Sequence, residues 1–356
     1  MNETSANKDR FKSDLRKIGS GEKSSRGMSR DESADALELI LEGSPSPAQI
    51  GAFLIAHRIR RPEAQELAGM IDTYIKLGPK IYSDSNSKEP VCFGMPFDGR
   101  TKTSPIYPLT SLLLLDASQP VVLQGAGRLP VKYGVTTEEL FKALGLNLSK
   151  LGIDKVQEGF TSNGFAFIYQ PDHFPLADNL IKYREEIGKR PPIASMELLW
   201  SSHQGKHLII SGFVHTPTES RHLTTLKLLG ENNLILIKGL EGSIDIPISK
   251  VTTGTLYMEE SNKKLKIDPK KYIYNKSELN FVDINIWRTN SFYALDGKGP
   301  LYEPLIWNAG VYFWLLGITK SIDLGIEKAQ LSISSGSAKL TLQKLIAWRS
   351  KQNYSI

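Results

Sequence analysis

One loop near residue 90 carries residue types that bind phosphate. It follows a short apolar run and reads CFGMPFDGRTKTSP over residues 92–105. Its candidate ligand contacts are two glycines, one acid and two cations: Gly94, Gly99, Asp98, Arg100 and Lys102. Glycines let backbone N–H groups approach phosphate oxygens, and cations supply the opposite charge. Pro96 has no N–H to donate, however, and Phe97 fills space beside it. The loop therefore keeps the charges of a phosphate site but loses some of its donors.

A second loop of this kind follows the next apolar run. It reads QGAGRLPVKYG over residues 124–134 and contributes Gly125, Arg128, Lys132 and Gly134. In open α/β sheets, ligands bind beyond the carboxyl ends of the strands. We therefore expect the two loops to meet at one edge of a sheet and to form one site.

Helix start signals are clear in the first part of the chain. Ser29 stands three residues before Glu32, and Ser46 stands three before Gln49, so both pairs can form capping boxes. Pro62 opens a third helical pattern. The short connections between these patterns predict a small helical domain.

The pattern changes after residue 88. Apolar runs of strand length recur at residues 120–125, 164–169, 207–214 and 233–239. Helix starts at Thr136 and Thr216 lie between them. Strands alternating with helices predict an α/β fold with a mainly parallel sheet covered by helices. We predict three parts: a basic N-terminal arm at 1–30, a small helical domain at 31–82 joined by helices around 173–192, and a large α/β domain at 88–350.

Composition narrows the possible environments of the protein. The 356 residues carry a net charge of +6 and a single cysteine, Cys92, which excludes an internal disulfide and any multi-cysteine metal site. No apolar run reaches the roughly 18 residues of a membrane span, so we expect no membrane partner. The N-terminus lacks the apolar centre of a secretory signal, and we expect a cytoplasmic protein.

A lysine-rich segment at residues 262–276 has two interpretations. It reads NKKLKIDPKKYIYNK, with Tyr272 and Tyr274 among six lysines. Cations interleaved with aromatic rings suit a nucleic acid strand, because bases stack on rings while lysines meet phosphates. A strand or hairpin with a solvated lysine face explains the same pattern. The sequence alone leaves both open.

The order of these elements resembles the anthranilate phosphoribosyltransferase family, glycosyltransferase family 3. The similar segments are SPAQIGAFLIAHRIR, GFAFIYQPDHFP, YREEIGKR, WNAG and SGSAKLTLQKL. The resemblance implies a nucleoside phosphorylase/phosphoribosyltransferase-like fold and a homodimer formed through the helical domain. It also implies phosphoribosyl pyrophosphate (PRPP) in the hinge, with Mg²⁺ as the candidate cofactor.

The chain departs from the family pattern at the substrate motifs. The family's G-T-G-G-D-G is GMPFDG here, and its K-H-G-N-R is LQGAG. Of the acids in the magnesium motif, Glu241 and Asp245 remain, and we predict them as the candidate metal ligands. Arg184 matches a family arginine that would meet the acceptor's carboxylate, and Arg190 matches another. With several donors changed together, we assign no catalytic residue.

The remaining cations predict a basic rim around the hinge: Arg100, Lys102, Arg128, Lys132, Arg184 and Arg190. The stretches DGRTKT and GVTTEE look similar to a divergent paralogue group of the family that binds nucleic acid. We therefore predict a homodimer that binds nucleic acid or another phosphate-rich ligand, with little or no anthranilate transfer. Two other hypotheses stay open: an active phosphoribosyltransferase with anthranilate or another aromatic or nucleobase acceptor, and a sensor of a small phosphate ligand.

Overall fold

The computed structural model describes residues 3–352 except 85–86 and 274–275, and no side chain is described before residue 7. The chain begins with a helical part. Its helices are α1 (Glu3–Gly19), α2 (Arg30–Leu41), α3 (Pro47–Arg60) and α4 (Ala64–Leu77). The apolar faces of these helices form one shared core, in which Leu37, Phe53 and Tyr74 are fully buried.

Both predicted capping boxes are confirmed. The Glu32 backbone N–H donates to Ser29 Oγ at 3.2 Å, and the Ser29 N–H donates to the Glu32 carboxylate at 2.7 Å. Ser46 and Gln49 exchange the same two bonds at the start of α3. Each box gives partners to N–H groups that the first turn of a helix leaves unpaired.

The N-terminal segment differs from the predicted basic arm. Residues 3–19 form α1, whose Phe11 and Ile18 are buried among the helices. The Phe11 ring lies 5.2 Å from that of Phe53 in α3. Phe11, Leu15 and Ile18 recur at helical spacing, so they line one face of α1 while its charged residues face water. Burial of this apolar stripe holds the segment against the bundle.

The large part of the chain is an α/β domain, as predicted. Its sheet contains β2 (Val91–Gly94), β3 (Val121–Gly125), β4 (Phe165–Tyr169), β6 (Leu208–Gly212), β7 (Asn233–Ile237), β8 (Thr252–Met258) and β9 (Ser261–Ile267). The strand order is β4-β3-β2-β6-β7-β8-β9. Five strands of this sheet run parallel to one another: β4, β3, β2, β6 and β7. Strands β8 and β9 add an antiparallel edge. A separate parallel pair joins β1 (Ile81–Tyr82) to β5 (His203–Gln204).

Helices cover the sheet and fill the connections. They are α5 (Tyr107–Asp116), α6 (Thr137–Ala143), α7 (Ile153–Asn163), α12 (Thr216–Leu228), α13 (Ile284–Leu295), α14 (Tyr302–Leu315), α15 (Ile322–Ser334) and α16 (Ser337–Ser350). Between β4 and β5 the chain forms α8 (Gln170–His173), α9 (Pro175–Asp178), α10 (Ile181–Ile187) and α11 (Ile193–Met196). Helix α10 packs on α3 and α11 packs on α4, so this segment joins the helical part. No helix among the described residues is long and apolar enough to cross a membrane.

The lysine-rich segment forms mainly the edge strand β9 and the turn after it. Residues 261–264 of this strand are exposed, whereas Leu265 and Ile267 are buried. The Tyr272 ring packs 5.9 Å from Trp307, and Tyr274 lies outside the described residues. This geometry favours the interpretation as a solvated lysine face, because lysines on an edge strand also discourage pairing with other chains.

Candidate functional site

The two predicted phosphate loops meet at the carboxyl edge of the sheet. They follow the neighbouring parallel strands β2 and β3, and an antiparallel bridge joins them. The backbone N–H of Arg100 donates to the Val135 carbonyl at 3.1 Å, and the backbone N–H of Val135 donates to the Arg100 carbonyl at 2.8 Å. The Gly134 N–H donates to the Asp98 carbonyl at 3.0 Å. Backbone groups that could have met a ligand therefore bond the two loops to each other.

Two of the predicted phosphate-loop glycines serve this close approach. A Cβ on Gly99, whose φ is +74°, would lie 2.4 Å from the Val135 carbonyl oxygen. A Cβ on Gly134 would lie 2.5 Å from the Arg100 nitrogen. Gly94 and Gly125 end their strands, and a Cβ on Gly94 would meet the Leu198 carbonyl. Backbone crowding thus explains glycine at 94, 99 and 134.

Arg100 lies at the centre of the site and is 1 % exposed. Its Nε donates to Glu241 Oε1 at 3.1 Å, and Nη1 donates to Ser243 Oγ and Asp245 Oδ2, each at 2.7 Å. Nη2 donates to the carbonyl and hydroxyl oxygens of Thr103. These five acceptors match the five N–H donors of a guanidinium group. All five N–H donors of the Arg100 side chain are therefore satisfied within the protein.

The Glu241 carboxylate occupies the loop that was predicted to hold phosphate. It accepts backbone N–H bonds from Thr101, Lys102 and Thr103 at 2.9–3.1 Å. Lys132 Nζ lies 3.0 Å from its Oε2. Burial alone would raise the pKa of Glu241, but the Thr103 N–H bond and the cations Arg100 and Lys132 outweigh it and hold that pKa far below its ordinary range. The loop after β2 is thus an anion nest, filled by a carboxylate of the same chain.

Asp245 completes the cluster from the loop after β7. It is 1 % exposed, and its Oδ2 accepts from Arg100 and from the Ile106 N–H at 3.0 Å. Burial raises the pKa of Asp245, and the Arg100 guanidinium opposes that rise. Lys132 also donates to the Gly99 carbonyl at 2.6 Å, while burial lowers its pKa. Two cations and two acids therefore lie together, and their charges balance.

This arrangement does not fit Mg²⁺. Magnesium takes about six oxygen ligands in octahedral geometry. Both oxygens of Glu241 accept bonds from cations and amides, and one oxygen of Asp245 is bonded to Arg100. Asp245 Oδ1 is buried without a partner among the described residues, but the Arg100 guanidinium is bound to the same carboxylate. A divalent cation there would meet a fixed positive charge.

The other predicted rim cations lie in three different settings. Arg184 is 2 % exposed and forms an ion pair with Glu197, whose pKa burial raises against the attraction of Arg184. Arg190 is exposed and pairs with Asp98, and this ion pair connects the loop after β2 to the segment after α10. Lys102 and Arg128 are exposed, and Arg128 lies 2.8 Å from Glu139. The six cations therefore do not form one continuous rim.

The sequence analysis did not predict a second group of cations, which lies next to Arg190. Arg58 lies in the last turn of α3, Arg61 directly follows this helix, and Arg221 lies on α12. All three line one cleft together with Arg190. The run HRIRRP at residues 57–62 carries a local signal, since it places several cations at a helix end. Its approach to Arg221, which is remote in sequence, depends on the tertiary fold.

Comparison with protein families gives two matches along the chain. Residues 13–78 match the glycosyl transferase family helical bundle domain. Residues 131–339 match the glycosyl transferase family a/b domain. The two matches agree with the helical part and the α/β part of the fold.

Individual relatives agree over nearly the full length. An anthranilate phosphoribosyltransferase of Polynucleobacter necessarius is 25% identical over 325 residues, which is 90% of this chain and 94% of the relative. An uncharacterised protein of Aquifex aeolicus is 27% identical over 312 residues, with 85% and 92% covered. Both similarities extend across the helical and the α/β parts.

Solved structures share the fold. The anthranilate phosphoribosyltransferase of Thermus thermophilus superposes with a TM-score of 0.78 at 19% identity, over 96% of this chain and 99% of that one. The enzyme from Saccharomyces cerevisiae, solved in complex with PRPP and Mg, gives 0.80 at 16% identity, over 97% and 99%. At 19% and 16% identity, these similarities show that the fold is shared.

Proposed function

The chain belongs to the glycosyl transferase family that contains the anthranilate phosphoribosyltransferases, and we propose that it is a divergent member that binds a phosphate-rich polyanion. Nucleic acid is the first candidate ligand. The protein acts as a homodimer through its helical domain, as the family resemblance implies, and it transfers little or no phosphoribose to anthranilate.

The observation that carries this proposal is the position of Arg100. Its guanidinium bonds to Glu241 and Asp245, the two acids that correspond to magnesium ligands by resemblance. Phosphoribosyl transfer develops charge on the leaving pyrophosphate, so it depends on metal ions and fixed donors around that group. Loss of one such donor costs about 2.7–4 kcal/mol of transition-state stabilisation. Here the acids are neutralised internally and the loop amides already hold Glu241.

The charge of the protein supports a polyanionic ligand. The chain carries a net charge of +6, and Lys102 and Arg128 are exposed within the two loops. Cations that meet phosphates release bound counterions, so such binding weakens steeply as salt rises. A ligand held in this way needs few fixed donors and no metal.

Fluorescence anisotropy tests binding directly. A labelled single strand is titrated at low and at moderate salt, with and without Mg²⁺, while pyrophosphate release from PRPP and anthranilate is followed in parallel. We expect salt-sensitive binding without Mg²⁺ and no pyrophosphate release above the enzyme-free rate. Absence of binding to the strand at low salt would remove nucleic acid as the ligand, and absence of binding to PRPP as well would overturn the polyanion proposal.

An active phosphoribosyltransferase is the second candidate function. The names of the relatives favour it, because an anthranilate phosphoribosyltransferase is 25% identical over most of this chain. Its signature is Mg²⁺-dependent pyrophosphate release with anthranilate, another aromatic acid or a nucleobase. For this activity Arg100 would have to leave Glu241 and Asp245, so the Arg100 contacts argue against it.

A separate experiment tests the proposed homodimer. Sedimentation equilibrium over a range of protein concentrations gives the mass of the particle in solution. A mass of twice 39.6 kDa is expected. A particle of 39.6 kDa at all concentrations would remove the dimer from the proposal.

A further inference from the structure

A cleft between the helical part and the α/β part is lined by four arginines. Its volume is ≈ 770 Å³. The cations that line it are Arg58, Arg61, Arg190 and Arg221, and His215 lies beside them. The end of α3 forms one wall, and the start of α12 and the segment after α10 form the other. We call this region the arginine cleft.

The charges of the arginine cleft are largely unbalanced. No carboxylate is found among its described lining residues. Arg190 pairs with Asp98, but Arg58, Arg61 and Arg221 form no ion pair with an acid in the part of the chain that the structure describes. Burial lowers the pKa of Arg221 and the charge of Arg61 lowers it further, while the charge of Glu66 opposes both. A cleft lined by one sign of charge focuses its field and concentrates ions of the opposite sign.

The backbone adds to this positive potential. Helix α12 is 13 residues long and begins at Thr216 in the wall of the cleft. No described side chain caps its first turn, since the N-cap residue His215 makes no such bond. Pro217 has no N–H and the Thr218 N–H donates to the His215 carbonyl, so the start of α12 contributes mainly the partial positive charge of a helix amino end, which favours phosphate groups.

Two of the four arginines are held in place across the cleft. Arg58 Nη1 donates to the Arg190 carbonyl, so the end of α3 is attached to the opposite wall. Arg190 is in turn held by Asp98. Guanidinium groups fixed in this way keep donors available at a lower entropic cost when a ligand binds.

The remaining lining identifies the chemical class of the ligand. Ile59 is 77% exposed at the cleft, and prolines contribute further apolar surface: Pro62, Pro191, Pro192 and Pro217. A volume of this size lies in the usual range for ligand sites, about 300–1,000 Å³. Several separated cations beside apolar surface suit a molecule with two or more phosphates joined by sugar or base.

We propose that the arginine cleft is the binding site for a ligand with consecutive phosphate groups. This inference rests on the proposed polyanion function. It places the binding site in the cleft between the two parts instead of in the loops after β2 and β3. The phosphates can belong to a nucleic acid strand or to a free nucleotide or PRPP. Arg61, Arg221 and the start of α12 would contact them.

Two kinds of variant test the site. Arg61→Gln and Arg221→Gln remove charge from residues without a described acidic partner, so the fold should persist. Thr218→Glu adds a carboxylate to the cleft at the start of α12, where an acid favours the helix. Lys142→Gln and Lys320→Gln are the controls, because both cations are exposed outside the cleft and outside the two loops. Circular dichroism checks each variant for its helix content.

Each variant is titrated with a labelled single strand across a range of salt. We expect each cleft substitution to weaken binding about tenfold at low salt, as charge-assisted bonds are lost. Each lost arginine should lower the slope of log affinity against log salt by about 0.7. The two controls should bind within a few-fold of the wild type.

The possible outcomes separate the two proposals. If the wild type binds neither the strand nor PRPP, the polyanion function itself is wrong. If it binds and the cleft variants bind equally well, the function stands and the arginine cleft is wrong as its site. A third outcome is that the wild type binds PRPP or ADP but not the strand, and that the cleft variants lose this binding. The phosphates recognised by the cleft would then belong to a small free ligand and not to a nucleic acid.

Discussion

The guanidinium Nε of Arg100 donates to Glu241 Oε1 at 3.1 Å across 141 residues of sequence. This contact joins the loop after β2 to the loop after β7, and Asp245 strengthens it from the same loop. The resemblance implies a phosphate ligand and a metal ion at this edge of the sheet. In their place the protein has an internal anion, Glu241, and an internal cation, Arg100.

Substitution of Arg100 by Gln should destabilise the protein strongly. Arg100 is 1 % exposed, and its removal leaves Glu241 and the buried Asp245 without their shared cation. Removal of one partner from a buried ion pair costs about 3–5 kcal/mol. Urea unfolding at neutral pH measures the change in the free energy of unfolding.

Arg128→Gln is the matched control for this measurement. Arg128 pairs with Glu139 at 2.8 Å, but its side chain is 57% exposed. Exposed pairs contribute about 0–1 kcal/mol, so this variant should unfold close to the wild type. Equal unfolding midpoints for the two variants would show that Arg100 does not stabilise the loops.

The response to Mg²⁺ should depend on Arg100. In the wild type the carboxylates of Glu241 and Asp245 are bonded to Arg100, so millimolar Mg²⁺ should leave Tm unchanged. In Arg100→Ala the two acids lose their shared cation, and we expect Mg²⁺ to recover part of the lost Tm. Differential scanning fluorimetry measures both. A Tm increase with Mg²⁺ in the wild type would contradict the internal occupation of this site.

Local signals in the sequence were sufficient to predict helix starts and strands. Thr136 and Glu139 exchange both bonds of a capping box, since the two partners lie three residues apart on the same chain segment. Apolar runs likewise predicted the central strands, because a buried strand needs apolar side chains on both faces. The fold class followed from the order of these elements.

The contacts of the site could not be predicted in the same way. Glu241 and Asp245 were predicted as metal ligands, and Arg100 as a ligand contact, but their mutual pairing depends on the crossing of loops that are distant in sequence. Helix α1 was missed for a related reason. Its charged residues suggested an arm, whereas the burial of Phe11 depends on the helices that pack against it.

Gly99→Ala should destabilise the contact between the two loops. Gly99 has a φ of +74°, and a Cβ there would lie 2.4 Å from the Val135 carbonyl. Gly188 is the control, because its φ is +56° but a Cβ would meet nothing within 4 Å. Alanine at 188 should cost about 1 kcal/mol for the backbone conformation alone, and alanine at 99 should cost more. Equal costs in urea unfolding would show that the loops can separate without loss.

Arg184 should act in stability rather than in the recognition of an aromatic acid. It is 2 % exposed and bonded to Glu197, which is also buried. Arg184→Ala should cost about 3–5 kcal/mol, whereas replacement of both residues by Met should cost less, because no buried charge is left alone. Anthranilate should not raise the Tm of the wild type. A Tm increase with anthranilate that Arg184→Ala abolishes would instead support the carboxylate contact that the resemblance implies.

Asp14 should make stability depend on pH in a direction opposite to that of a paired acid. Burial, together with the nearby charges of Asp35 and Glu32, raises the pKa of Asp14 from 3.8 to about 6 against the opposing charges of Lys17 and Arg10. Between these two pKa values the native state holds more protons than the unfolded state, so the contribution of Asp14 to stability falls as pH rises. Asp14→Asn should therefore have a higher Tm than the wild type at about pH 7.5, with a much smaller difference near pH 4. Asp9→Asn, at an exposed position on the same helix, should show no such change. A difference between Asp14→Asn and the wild type that is the same at both pH values would mean that the substitution acts through packing and not through the proton.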